Sequence, residues 1–248
     1  MSLPFRTRLF RWLMALLFLP LVAAAGWSLF DLSGLFLAGR EWSHPWFWAL
    51  GGGLALWLAA FFGLPRPMWV YVFGHELTHA LAVYLHGGEV YRFNVTKRGG
   101  HVISDKCNWF IALAPYFVPL YTLLWIALWC TVGFYWHGLD RWTWLLYGGI
   151  GVTWGFHLTF TVSMIREGQS DLEGQDVFFS LVLIVLLNLL LIEAGLVAAV
   201  HGVSFVRFGL MLWHRTTVCY AVTGHALWTG AVAAYQFIAR LCRSRAVS

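Results

Sequence analysis

Residues 74–81 read Gly74-His75-Glu76-Leu77-Thr78-His79-Ala80-Leu81, an H-E-x-x-H pattern inside a run from Met68 to Leu85 that is otherwise almost wholly apolar. On a helix, residues four apart share a face, so His75 and His79 can turn both imidazoles toward one zinc ion. Glu76 lies beside them, where a carboxylate can take the proton of a zinc-bound water. Histidines on a helix are also met as packed core residues. Here the neighbours are Trp69, Val70, Val72, Phe73, Leu77 and Leu81. Burying two imidazoles and a carboxylate among them is costly unless a cation compensates. His75 and His79 are therefore expected as metal ligands, Glu76 as the catalytic base and Zn2+ as the cofactor.

The chain around this motif is 60% hydrophobic and 11% charged, against about 25% charged in an ordinary soluble domain. That excludes a soluble enzyme and predicts an all-α polytopic membrane protein. The basic residues are almost all Arg and fall at the edges of apolar runs, as topology signals do; no nucleic-acid partner is expected. Cys107, Cys130, Cys219 and Cys242 are widely spaced, which offers neither a disulfide framework nor a thiolate metal site.

Outward from the motif, apolar runs predict about six to seven transmembrane helices in one integral membrane domain spanning residues 1–248, with residues 66–200 as the metallopeptidase core. The first run, from Trp12, continues past Ala23-Ala24-Ala25, which resembles a signal-peptidase site, to Leu37, and reads as a retained membrane segment. Trp46 to Leu64 is the next, closed by Pro65-Arg66-Pro67. The motif helix runs from about Pro67 to His86 and stops at Gly87-Gly88. Residues 89–105 alternate with a period of two and predict a surface β-hairpin turning at Gly99-Gly100. Asn108 to Trp136 is expected as one crossing kinked by Pro115 and Pro119, followed by Trp142 to Ile165. An acidic insert, residues 166–176, precedes Val177 to Val200. Residues 201–215 are mixed, and Thr216 to Ala239 forms the last helix.

Catalytic zinc usually takes three protein ligands. Leu85 stands where a metzincin would place its third His, and His86 is ~10 Å beyond His79 along the helix. Counting crossings from the end of the motif helix returns the chain to that side at the acidic insert. Asp171 is the expected third ligand, with Glu167, Glu173 and Asp176 as competing carboxylates. His157 is the runner-up, as a ligand or as a donor supporting one; Glu193 falls too near the far side. The side bearing the insert collects Arg92, Lys97, Arg98, Lys106, Arg166, Arg240, Arg243 and Arg245. The other side collects Arg66, Arg141, Arg207 and Arg215. The positive-inside rule then makes the insert side cytoplasmic. Arg6, Arg8 and Arg11 break the pattern, because two crossings before Pro65 place them opposite.

With these residues in view the chain resembles the site-2 protease family of intramembrane zinc metallopeptidases, in particular its small bacterial members without a PDZ domain. The resemblance covers roughly Pro67 to Leu190. It is carried by Gly74 to Leu81, Gly87-Gly88 and the hairpin, Ala114-Pro115-Tyr116, and Ser170-Asp171. It implies zinc held by His75, His79 and a distant Asp, Glu76 as base, and hydrolysis of membrane-embedded or membrane-proximal protein substrates in a bacterial cytoplasmic membrane, as in regulated intramembrane proteolysis. The family has Gly after that Asp; this chain has Leu172. The alternative expectation is a non-proteolytic membrane zinc-binding protein, either a metal carrier or a degenerate scaffold. His157, Asn188, Glu193 and His225, polar groups inside apolar runs, keep that alternative open.

Overall fold

The computed structural model describes residues 4–96, 99–168, 170–199 and 203–245. The long apolar runs form helices because only helices satisfy every backbone polar group within the segment where water is absent. They are α1 (Phe5–Ala38), α2 (Pro45–Gly63), α3 (Met68–Leu85), α4 (Trp109–Phe117), α5 (Leu120–Tyr135), α6 (Thr143–Glu167), α7 (Ser170–Gln175), α8 (Val177–Ala199) and α9 (Phe205–Arg245). A two-stranded antiparallel sheet, β1 (Val90–Thr96) and β2 (Gly99–Ser104), follows α3. By length and apolarity α1, α2 and α8 are candidate membrane spans, and the bent pair α4–α5 makes a fourth if it counts as one. Phe30, Phe62 and Trp228 are 76%, 79% and 71% exposed, a surface suited to lipid and not to water.

The helix ends follow local chemistry. Pro45 opens α2 at its first turn, where a missing N–H costs nothing. Leu64, just before Pro65, is extended and ends it. Gly87, at φ 65°, closes α3, and Gly88 N–H returns to the Val83 carbonyl at 2.9 Å. Asn108 caps α4, its side-chain oxygen accepting from Ile111 N–H at 2.8 Å.

Several boundaries differ from those expected. Asn108 to Trp136 is broken more sharply than by a kink: at Val118-Pro119 the chain bends by 69° into two helices, a pair that can still make one broken span. The mixed stretch before Thr216 is part of one continuous α9, because Arg215 finds a partner in Asp31 (2.6 and 3.0 Å) and packs over the Trp27 ring. Gly99-Gly100 is the start of β2, with Gly99 opposite Thr96. Lys97 and Arg98 lie between the strands, outside the described residues.

Helices α2 and α6 run in the same direction. A Cβ on Gly53 would overlap the Gly148 carbonyl, and one on Gly151 the Leu50 carbonyl, so small residues let the two backbones touch. Further along, Trp57 Nε1 donates to Thr159 (2.9 Å) and Arg66 Nη1 to Ser163 Oγ (3.2 Å). Arg66 thus sits at the α6 end that leads into the insert, not on the opposite side. Helices α1 and α8 are likewise parallel, with Trp12 against Phe178 and Asp176. Helix α9 returns antiparallel to α1, Arg215 meeting Asp31 and Tyr220 O–H donating to the Leu17 carbonyl (2.7 Å).

These contacts correct the crossing count. Arg8 and Arg11 touch Asp176 and Gly174, so the N-terminal arginines share the face of the insert. The exception is α3. It runs beside α4 in the opposite sense, with His79 against Ile111 and His86 against Phe110. The 69° bend then turns α4 away from the direction of α5. One cavity is lined by Met68 at the start of α3, by β2 and by Glu167 at the end of α6. The start of α3 and the end of α6 thus share one cavity with the hairpin. The buried core lies where α3, α4, α6 and α8 meet, around Leu113, Tyr116, Phe160 and Leu183.

Candidate metal centre

Tyr71, His75 and His79 recur every four residues, so one stripe of α3 carries a phenol and two imidazoles. That stripe faces α4 and α7. His79 Nδ1 lies 2.8 Å from the Ile111 carbonyl. A carbonyl only accepts, so Nδ1 carries the proton, and the Nε2 of neutral His79 presents a lone pair. His75 Nδ1 meets the Tyr71 hydroxyl at 3.0 Å, which leaves its Nε2 pointing the same way.

The short α7 brings Asp171 to this pair. Its Oδ2 lies 3.3 Å from His75 Nε2 and 3.4 Å from His79 Nε2, and the two Nε2 atoms are 3.2 Å apart. Among the described residues these three form the one group of His, Cys, Asp and Glu able to hold a metal ion. The spacing tests the fit. Zinc bonds of ~2.0–2.2 Å in a tetrahedron put neighbouring ligand atoms roughly 3.3–3.6 Å apart, close to the observed triangle. The chemistry agrees: two ring nitrogens and a carboxylate oxygen converge, mostly as acceptors. A proton joins two of them at a time, whereas a divalent cation engages all three.

Burial by itself would raise the pKa of Asp171, but its hydrogen bonds with His75 and His79 outweigh that and hold the carboxyl well below the usual carboxylate range. Tyr116 O–H donates to the same oxygen at 3.2 Å. Each ligand atom is thus backed by a second group: Tyr71 behind His75, the Ile111 carbonyl behind His79 and Tyr116 beside Asp171. Such backing fixes tautomer and ring orientation.

Glu76 is 7% exposed and opens, with His75, His79 and Asp171, into the cavity of about 580 Å³ under the hairpin. Gly100 of β2 comes so close that a Cβ there would lie 2.5 Å from Glu76 Cγ. The roof of the cavity is therefore a strand passing directly over the acid, and only glycine leaves room for it.

The competing residues fall elsewhere. Glu167 lines the same cavity but accepts from Ser163 at 3.4 Å. Glu173 is exposed on the other side of α7. Asp176 caps α8 through Phe179 N–H at 3.3 Å. Glu193 is fully buried in α8. His157 is outside the ligand group; it lines a small cavity behind His75, with Thr161 and Tyr121, and its Nε2 has no hydrogen-bond partner. The sequence reading did not single out Tyr71, Tyr116 or Gly100 for these roles. Tyr71 had a signal, four residues before His75. Tyr116 and Gly100 had none beyond their neighbourhood, because their contacts cross the fold.

No family model, curated protein or solved structure matches the chain.

Proposed function

We infer that the chain is an intramembrane zinc metallopeptidase, of the type its sequence resembles, which hydrolyses peptide bonds of membrane-embedded or membrane-proximal proteins. The observation that supports this most is the triangle of His75 Nε2, His79 Nε2 and Asp171 Oδ2 opening, with Glu76, into one cavity. Zinc held there would supply a Lewis acid, which acidifies water and polarises a peptide carbonyl. The chain does the rest. His75, His79 and Asp171 hold the ion, leaving the cavity side open to water and substrate. Glu76 is the base that accepts a proton from the attacking water and returns it to the leaving amine.

The reading includes a topology. With α3 entering and leaving on one face, α1, α2, α4–α5, α6, α8 and α9 make six crossings, and both chain ends share the face of the site. Arg6, Arg8, Arg11, Arg66, Arg92, Lys106, Arg166 and Arg240 then lie on that face, and Arg40, Arg141 and Arg207 on the other. The positive-inside rule makes the site face cytoplasmic, in a bacterial inner membrane. The N-terminal arginines cease to be an exception.

The deciding experiment is zinc analysis of purified wild type, His75→Ala, Asp171→Ala and Glu76→Gln, joined to mass-spectrometric detection of cuts in a library of single-span peptides reconstituted in bicelles. Wild type should hold one zinc and cleave. Glu76→Gln should hold zinc and leave every peptide intact, whereas His75→Ala should lose both properties. Zinc bound by a wild type that cuts nothing would select the carrier or scaffold reading; a zinc-free wild type would end both.

A further inference from the structure

Asp171 is carried on a helix of six residues, too short to hold its own position. Leu172, 3% exposed, anchors it in the core, where a Gly could not. The far end of α7 runs into Asp176, whose φ of 71° places a non-glycine residue in the left-handed region. Such a conformation is unfavourable for a side chain beyond glycine and persists where the surroundings over-determine it.

Here the surroundings are the first turns of α1. Trp12 Nε1 donates to Asp176 Oδ2 at 3.1 Å, and Arg8 Nε lies 3.5 Å from the same oxygen. Arg11 Nη1 donates to the Gly174 carbonyl at 3.2 Å. The Trp12 ring packs on Phe178 at 4.9 Å. The other carboxylate oxygen of Asp176 caps α8. Asp176 therefore fastens three helices at one buried point, a turn and a half beyond the ligand oxygen. None of these groups belongs to the ligand cluster. What they determine is where α7 sits.

We propose that Trp12 and Asp176 are positioning residues of the metal centre: the N-terminal helix holds α7 so that Asp171 faces His75 and His79. The proposal rests on the metal-binding part of the reading above and not on proteolysis. Groups that orient a ligand from behind typically change metal affinity by 10–100-fold when removed, and a ligand on a short helix depends on them strongly.

The test is zinc affinity of the full chain in detergent, measured by competition with a chromophoric chelator, beside thermal unfolding of the metal-free protein. Trp12→Phe keeps the ring against Phe178 and removes only the donor. It should bind zinc about tenfold more weakly, with metal-free unfolding unchanged. Asp176→Asn has a single acceptor oxygen, which cannot serve both Trp12 and the cap on Phe179, so it too should bind zinc more weakly than wild type. Asp176→Ala should lose at least as much as Trp12→Phe, and the double variant no more than Asp176→Ala alone. Affinity equal to wild type in Trp12→Phe overturns the proposal, as does a double variant whose losses add. A wild type that takes up no zinc removes the metal centre itself, so the two failures are separated by the wild-type measurement.

Discussion

In the candidate centre each histidine is set by the group behind it. The His79 tautomer is dictated by the Ile111 carbonyl, and Asp171 shares its ligand oxygen with the Tyr116 hydroxyl. Tyr116→Phe keeps the ring that packs against His75 and deletes the donor. It should weaken zinc binding about tenfold without unfolding the protein, by the same chelator competition. Gly100→Ala probes the roof of the cavity. Its methyl would lie 2.5 Å from Glu76 Cγ and 2.7 Å from the Asn94 carbonyl, so either the hairpin or the acid must shift. Peptide cleavage should fall by at least an order of magnitude while zinc content stays at the wild-type level. Loss of zinc from this variant would mean that β2 also supports the ligands.

At the level of elements, the site is built by two antiparallel helices, α3 and α4, and the short helix α7. Helix α4 does two things at once: its Asn108 cap satisfies Ile111 N–H, and the Ile111 carbonyl then orients His79. Asn108→Ala should destabilise the protein by about 1 kcal/mol and also lower zinc affinity, an effect that a cap on any other helix would not produce. Much of this was legible in advance. The H-E-x-x-H pattern, its glycine stop, the hairpin and the acidic insert all appear where local chemistry put them. Asp171 was reached by counting crossings, and it lies beside His75 and His79.

For the molecule as a whole, the contacts between long helices include close small-residue approaches, aromatic and hydrogen-bonded pairs, and an ion pair. Gly53, Gly148 and Gly151 allow α2 and α6 to meet backbone to backbone. Gly151→Leu should prevent that approach and abolish the folded protein, as judged by monodispersity in detergent. Helix α9 is tied to α1 by Asp31 and Arg215, whose side chains are 22% and 24% exposed. Removing Arg215 leaves the carboxylate uncompensated at the depth of the spans. Arg215→Ala should cost about 3 kcal/mol, and Asp31→Asn with Arg215→Gln together should cost less than Arg215→Ala. Topology is testable with single cysteines in a chain freed of its own. Positions 11 and 92 should react with an impermeant thiol reagent from one side of the membrane, and position 141 from the other.

By itself the sequence determined a mostly helical chain of membrane type and the pairing of two histidines on one helix face. Hydropathy is a sum over neighbours in the chain, and helical spacing brings His75 and His79 together wherever the helix lies. What only the tertiary structure decided was which of four nearby acids meets His75 and His79, and which groups stand behind each of the three. Those depend on close approach between segments far apart in the chain: Asp171 is 96 residues from His75, and Arg8 is 168 from Asp176. No local pattern encodes such distances, because they are set by glycine contacts, a 69° break at Val118-Pro119 and a left-handed Asp176 acting together.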